Sequence, residues 1–290
     1  MKYYEVEMTI TPCSQDAQDI LSAMAAEAGF ETFEETPTGL LGYVQQSLFL
    51  QEALDEAIAN FPFEGTQIIY NVREAEDKDW NEQWEQEGFE PIEVRSKRDD
   101  GRVIIIHDGR HIGNLQFDHL LFTIEIDAVM AFGTGTHETT RMLCSTLLDM
   151  DLQGKRVLDC GCGTGILGIC ALKLGADSCV GYDIDEWSAD NTRHNAVINH
   201  VDARLQPLCG DSSVLNDFGA EFDVVLANIN RNILLADMPH FVRVMKPGAT
   251  LILSGFYETD CALLESKAQQ LGLKLTSTRT DGDWASMVFK

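Results

Sequence analysis

"VLDCGCGTGILGIC", Val157 to Cys170, decides how the second half of this chain folds, and it admits two readings of what the fold holds. The short apolar run Arg156 to Cys160 reads as a buried strand. Gly165 to Leu174 reads as a helix, with Leu167, Cys170, Ala171 and Leu174 as its inner stripe and Gly175 as its stop. Between them Gly163, Gly165 and Gly168 spell G-x-G-x-x-G, the dinucleotide fingerprint, while Asp159, Gly161, Gly163 and Gly165 spell D-x-G-x-G-x-G. Either ligand needs close backbone approach and an open helix N-terminus, so the glycines do not choose. Asp159 does: a carboxylate at the strand end repels a pyrophosphate and attracts an ammonium or sulfonium group.

Outward from this turn the pattern of strand, loop and helix repeats. Ser178 to Tyr182, Phe222 to Ala227 and Thr250 to Ser254 are further apolar runs, so a doubly wound α/β domain is expected from 127 to 290. Lys274 to Thr280, the turn Asp281-Gly282, and Trp284 to Phe289 read as a hairpin entering the sheet antiparallel. Ligands of such sheets lie beyond the carboxyl ends of the strands. Asp183, closing the second strand in "VGYDID", is placed to accept both ribose hydroxyls of a nucleoside. Asp211, in "LCGDSS" where the third strand should end, can accept from an adenine amino group, and it is equally an ordinary helix N-cap.

The first 75 residues follow the order β-α-β-β-α-β, a small ferredoxin-like α+β domain. Tyr4, Val6, Met8 and Ile10 alternate as a strand; Asp16 to Ala28 and Gln51 to Phe61 have helical spacing. No catalytic constellation falls here, so recognition is the expected role. Residues 76–126 read as a linker helix and connecting strands. Asp79 and Glu82 suit a helix start, Trp80 and Trp84 share a face better suited to packing than to substrate stacking, and Arg102 to His107 and Leu121 to Ile126 look extended.

Composition excludes some classes. Against 47 acidic residues stand 21 Lys and Arg, a net charge of −26, which disfavours a protein that binds phosphate backbones and favours encounter with a basic partner. Solubility alone also accounts for such acidity. The first residues lack a signal-peptide core and no apolar run approaches the ~18 residues of a bilayer span, so a cytoplasmic protein without membrane contact is expected. The eight cysteines form no framework, as in reduced cytosolic enzymes, and Cys160-x-Cys162 is too closely spaced for a zinc site; no metal is expected.

In order, "VLDCGCGTG", "GYDID", "GDSS", "VVLANI" and "KPGATLILSGF" resemble the motifs of the class I S-adenosylmethionine-dependent methyltransferases, whose Rossmann-like seven-stranded sheet also ends in an antiparallel hairpin. "AFGTGTHETT", Ala131 to Thr140, is more specific. As local structure, Thr136 caps a helix packed through Met142, Leu143, Leu147 and Met150. As a motif it resembles the signature loop of the ribosomal protein L-eleven methyltransferase (PrmA) family, which is matched also by Lys78-Asp79-Trp80, Trp84 and Asn228. The resemblance covers essentially the whole chain, most strongly its catalytic half.

That resemblance implies S-adenosylmethionine as methyl donor and N-methylation of lysine side chains and the terminal α-amine of a basic ribosomal protein; a monomer is expected. It implies donor contacts at Thr140, Gly161, Asp183 and Asn228, which join Asp159, Gly163, Gly165 and Asp211 from the reading of the residues. Thr136 and His137 would line the approach to the methyl group, with Asn228 orienting the amine. His137 is a candidate base, although a histidine after a glycine loop more often serves as a hydrogen-bonding partner. Two departures stand out: Glu138 replaces the family's usual proline, and Ile229-Asn230-Arg231-Asn232 follows the strand-end asparagine where aliphatic residues are usual. The absence of Pro-Pro-Tyr after Asn228 argues against glutamine and adenine methylation. An RNA or small-molecule methyltransferase and a non-enzymatic binding module are the competing readings.

Overall fold

Val6, Met8 and Ile10 are buried while their neighbours along the strand are not, the two-residue period of a sheet with one face on a core. The structure, a computed structural model, describes residues 3–25, 28–30, 32–46, 48–63, 65–74, 88–98, 100–112, 119–127 and 137–290. The chain forms two compact units, Met1–Trp80 and Asn81–Lys290.

In the first unit β1 (Tyr3–Thr11) lies antiparallel between β3 (Gly39–Gln45) and β4 (Gln67–Glu74), with β2 (Thr32–Thr36) beyond β3, giving the order β2-β3-β1-β4. Helices α1 (Gln15–Ala25) and α2 (Gln51–Ala59) supply Ala17, Leu21 and Leu54 to a core shared with Val6, Met8, Ile10, Leu40 and Val44. The expected helix with Trp80 and Trp84 lies outside the described residues.

In the second unit β5 (Ile92–Arg95), β6 (Val103–His107) and β7 (Leu120–Glu125) form a three-stranded sheet. These strands fall in the stretch read as a connector, yet Val94, Ile104, Ile106 and Ile124 share one core with Leu143, Leu147, Val157 and Ile169. Every residue of β6 is buried, so this segment belongs to the body of the second unit. A run such as Val103 to Ile106 carries no local mark of which neighbour covers it.

The main sheet has the order β10-β9-β8-β11-β12-β14-β13. Its strands are β8 (Arg156–Cys160), β9 (Ser178–Asp183), β10 (Leu205–Cys209), β11 (Phe222–Asn228), β12 (Met245–Tyr257), β13 (Leu275–Asp281) and β14 (Trp284–Phe289). The first five run parallel; β14 enters antiparallel between β12 and β13, as the hairpin reading expects. Pro207 is tolerated because β10 is an edge strand paired only with β9. Alternate residues of β8 face opposite cores: Val157 shares one with Ile169 and Leu226, while Leu158 shares the other with Phe241 and Leu253. The helices are α3 (Glu138–Leu148), α4 (Ile166–Lys173), α5 (Glu186–Ile198), α6 (Arg231–Val244) and α7 (Cys261–Gln270). Strand order reverses between β8 and β11, which opens a crevice beyond their carboxyl ends. Among the described residues no helix is long and apolar enough to cross a membrane.

Candidate active site

A cavity of about 420 Å³ fills that crevice. One end is lined from β9 and β10 by Asp183, Ile184 and Asp211; the other, from β11, α3 and β14, by Asn228, Thr140, His137 and Trp284. The glycine turn lies between. Gly161 has φ +68°, and a Cβ there would stand 2.3 Å from Ile229 Cγ2, so only glycine lets the turn pass the end of β11. Gly165, in the left-handed region at φ +79°, is the N-cap of α4. The amides of Gly161 and Cys162 donate to the Tyr182 carbonyl at 2.8 and 3.0 Å, and Gly163 N–H donates to Asp183 Oδ2 at 2.9 Å.

Asp183 is thereby aimed by the turn it serves. Its Oδ1 accepts from the Asp185 amide at 3.1 Å, so each oxygen has one backbone donor and keeps a second acceptor position. Asp211 caps the short 3-10 turn Ser212–Asp217 through the Ser213 amide at 2.9 Å, and the Ser213 hydroxyl and amide hold its carboxyl below the ordinary range. It lines the cavity as well, so capping and ligand contact are compatible. Asp237, in the middle of α6, also lines the cavity and accepts from Ser212 Oγ at 2.9 Å. Nothing in the local sequence marks it; only the packing of α6 brings it here.

Asp159 and Gly165 stand behind the wall, outside the lining residues. Asp159 is 1% exposed, and its Oδ2 accepts from Gly168 N at 3.0 Å, tying β8 to α4. Burial pushes its carboxyl up to about 7, opposed by the Gly168 hydrogen bond and reinforced by Asp183. The full negative charge that sequence alone assigns to Asp159 is therefore reduced near neutral pH, and Asp183 is the carboxylate that faces the cavity. Because the folded protein holds this proton more tightly than the unfolded chain, the contribution of Asp159 to stability is full below about pH 4 and is lost as pH rises to about 7, by about 4 kcal/mol at most. Asp159→Asn is expected to flatten that fall in melting temperature; an unchanged slope would show that the proton is held elsewhere.

At the opposite end Asn228 closes β11. Its Nδ2 donates to Thr140 Oγ1 at 3.4 Å, and its buried Oδ1 has no hydrogen-bond partner. A buried acceptor left unmade costs about 1–3 kcal/mol, which an arriving donor would recover. Thr136 lies outside the described residues. The cap of α3, expected at Thr136, is His137: its Nδ1 accepts from Thr139 N at 3.3 Å and lies 2.9 Å from Thr139 Oγ1. Engaged at Nδ1 by Thr139, His137 serves as the cap of α3. The His137 ring meets Trp284 edge to face at 4.7 Å, and Tyr257 stacks on Trp284 at 4.4 Å. Trp284 reads in sequence only as a strand residue; its pairing with Tyr257 across β12 and β14 brings it to the cavity. Burial pushes the Cys160 and Cys162 thiols far up, so neither is a nucleophile.

Residues 11–290 match the family model described as ribosomal protein L11 methyltransferase (PrmA). The chain is 45% identical over 289 residues to the ribosomal protein L11 methyltransferase of Phocaeicola vulgatus, covering 100% of this chain and 99% of that one. Against the protein of the same name from Porphyromonas gingivalis it is 42% identical over 297 residues, covering 100% and 98%. The crystal structure of ribosomal protein L11 methylase from Lactobacillus delbrueckii subsp. bulgaricus superimposes with a TM-score of 0.58 at 26% identity, covering 64% of this chain and 94% of that one. With an α/β fold built on a mostly parallel sheet, and with a match spanning all but its first ten residues, the chain belongs to the ribosomal protein L11 methyltransferase (PrmA) family.

Proposed function

We propose that this chain transfers methyl groups from S-adenosylmethionine to lysine side-chain and N-terminal α-amines of ribosomal protein L11. The observation that carries the reading is the unpartnered, buried Asn228 carbonyl beside Thr140, at the far end of the cavity from Asp183. When bound, S-adenosylmethionine supplies a methyl group on a cationic sulfur, which a neutral amine displaces. The residues present fit it. Asp183 has acceptor positions for ribose hydroxyls, Asp211 for an amino group, and Gly161 and Gly163 line the cavity with backbone alone.

A lysine must lose its proton to react, at a cost of about 4–5 kcal/mol at pH 7, and a neighbouring carboxylate would add to that. The division of the cavity meets this demand. Asp183, Asp211 and Asp237 line the end served by β9, β10 and α6. Among the described residues the other end is lined by amide, hydroxyl and aromatic groups: Asn228, Thr139, Thr140, Asn230 and Trp284, with His137. Asn228 Oδ1 accepts from the amine and aims its lone pair, so positioning does most of the work. The net charge of −26 draws a basic protein and opposes RNA. Recognition of that protein falls to the ferredoxin-like domain of residues 1–75, and donor binding to the domain of 127–290.

His137 serves as cap and wall. His137→Ala is expected to cost about 1 kcal/mol of stability and to leave the pH dependence of turnover in place; a changed pH profile would instead make it the base. The function itself is tested by incubating the protein with labelled donor and either ribosomal proteins or stripped ribosomal RNA. Label is expected in L11, and label in the RNA would overturn the reading.

A further inference from the structure

Arg231 is an unusual residue to find at the first position of α6. A cation at a helix N-terminus opposes the helix dipole, and Asn230 already caps this helix by accepting from the amides of Asn232 and Ile233 at 3.0 and 3.1 Å. The guanidinium gains a partner outside the helix. Arg231 Nη1 donates to Asp260 Oδ1 at 2.7 Å, while Nε and Nη2 both donate to Asn232 Oδ1 at 3.2 Å. The Asp260 side chain is 12% exposed, and its second oxygen accepts from the Tyr257 amide at 3.2 Å. One carboxylate thus joins the start of α6 to the last residue of β12.

That residue carries the ring that backs the cavity wall. Tyr257 and Trp284 are partners across the β12 and β14 ladder, and their rings stack at 4.4 Å and 29°. Just before Tyr257 the strand breaks register at Gly255, which has φ +90° and whose Cβ would lie 2.5 Å from the Ile229 carbonyl oxygen. After such a break the ladder alone does not hold the strand end. The Glu258 amide donates to the Asp283 carbonyl at 2.9 Å, so the Tyr257 end is tied on one side to the hairpin and on the other, through Asp260, to α6. Tyr257 is 49% exposed, and its ring stacks on Trp284.

We propose that Arg231, acting through Asp260, is a positioning residue that holds the Tyr257–Trp284 pair as the wall of the amine-binding end of the cavity. This rests on the assignment of that end to the amine acceptor. Asn230 and Ile233, in the same turn as Arg231, line the cavity themselves, so one turn of α6 sets both the floor and, through the ion pair, the aromatic wall. Arg231 touches none of the reacting groups; its effect is on how the acceptor protein's amine is seated.

The test combines a measurement that needs no substrate with one that does. Trp284 emission is obtained as the difference between each protein and its Trp284→Phe counterpart, and its quenching by acrylamide reports how firmly the ring is held. Arg231→Ala is expected to increase that quenching and to raise KM for the basic ribosomal protein on the order of tenfold, with KM for S-adenosylmethionine unchanged. Arg231→Lys should recover most of both, since an ammonium can pair with Asp260 without the fork. Asp260→Asn keeps an acceptor for the Tyr257 amide and loses the charge, and combining it with Arg231→Ala should add nothing beyond either alone. Unchanged Trp284 quenching in Arg231→Ala would overturn the proposal. So would additive effects on the acceptor KM, because Arg231 would then be meeting the acceptor directly. If the parent protein does not methylate the basic protein while the quenching follows the ion pair, the positioning stands and the functional assignment fails.

Discussion

Replacing Asp183 with alanine is expected to weaken S-adenosylmethionine binding at least about a hundredfold, the loss of two hydrogen bonds to a charged acceptor. The carboxylate does two jobs whose contributions are separable. It receives the Gly163 and Asp185 amides, which set the shape of the glycine turn, and it presents its remaining acceptor positions to the cavity. Asp183→Asn keeps one oxygen for the turn and loses the charge and half the acceptors, so it should fall between the parent and the alanine variant. Calorimetric titration with the donor measures both. Full affinity in Asp183→Ala would remove the nucleoside from this end of the cavity and with it the assignment of the fold's ligand.

Asn228→Ala is expected to lower kcat by about a hundredfold while changing donor affinity only a few-fold, because it removes the acceptor that orients the amine. The parent leaves Asn228 Oδ1 buried and unpartnered, so the alanine variant should not melt at a lower temperature on account of a lost hydrogen bond at that oxygen. Asn228→Asp sharpens the point. It keeps size and shape and places a carboxylate where the amine must be neutral, raising the amine's pKa. The rate, which rises with pH as the amine loses its proton, should then reach its plateau about one unit later. The pH dependence of kcat from about pH 7 to about pH 10 checks this, and a profile identical to the parent's would place the amine away from Asn228.

Much of the site is legible along the chain because its parts are local. Asp183 and Asn228 each end an apolar run, and the glycine spacing around Gly161 specifies a turn that no other residue type can make. Asp211 reads as a cap, which it is, and it lines the cavity as well, both following from its place after β10. The cap of α3 is displaced by one residue from Thr136 to His137, because an imidazole nitrogen can accept the Thr139 amide as a hydroxyl would. Arg231, visible only as a departure from the expected aliphatic pattern, acquires a meaning when Asp260, twenty-nine residues later, is found beside it.

What the order of residues determines by itself is the succession of strands, turns and helices, the place of the glycine turn, and the carboxylate and amide that close β9 and β11, since backbone sterics and two- and four-residue periodicities act within a few residues. What the tertiary structure alone decides is which of these groups faces the cavity and which is buried behind it. Asp159 and Asp183 are equal on paper, yet packing of α4 on β8 buries the first until its carboxyl sits near neutrality, while the turn exposes the second. Asp237 and Trp284 arrive from a helix interior and a hairpin through sheet order and strand register. Desolvation and neighbouring dipoles come from residues distant in the chain, so the chemistry of a carboxylate is a property of the fold around it.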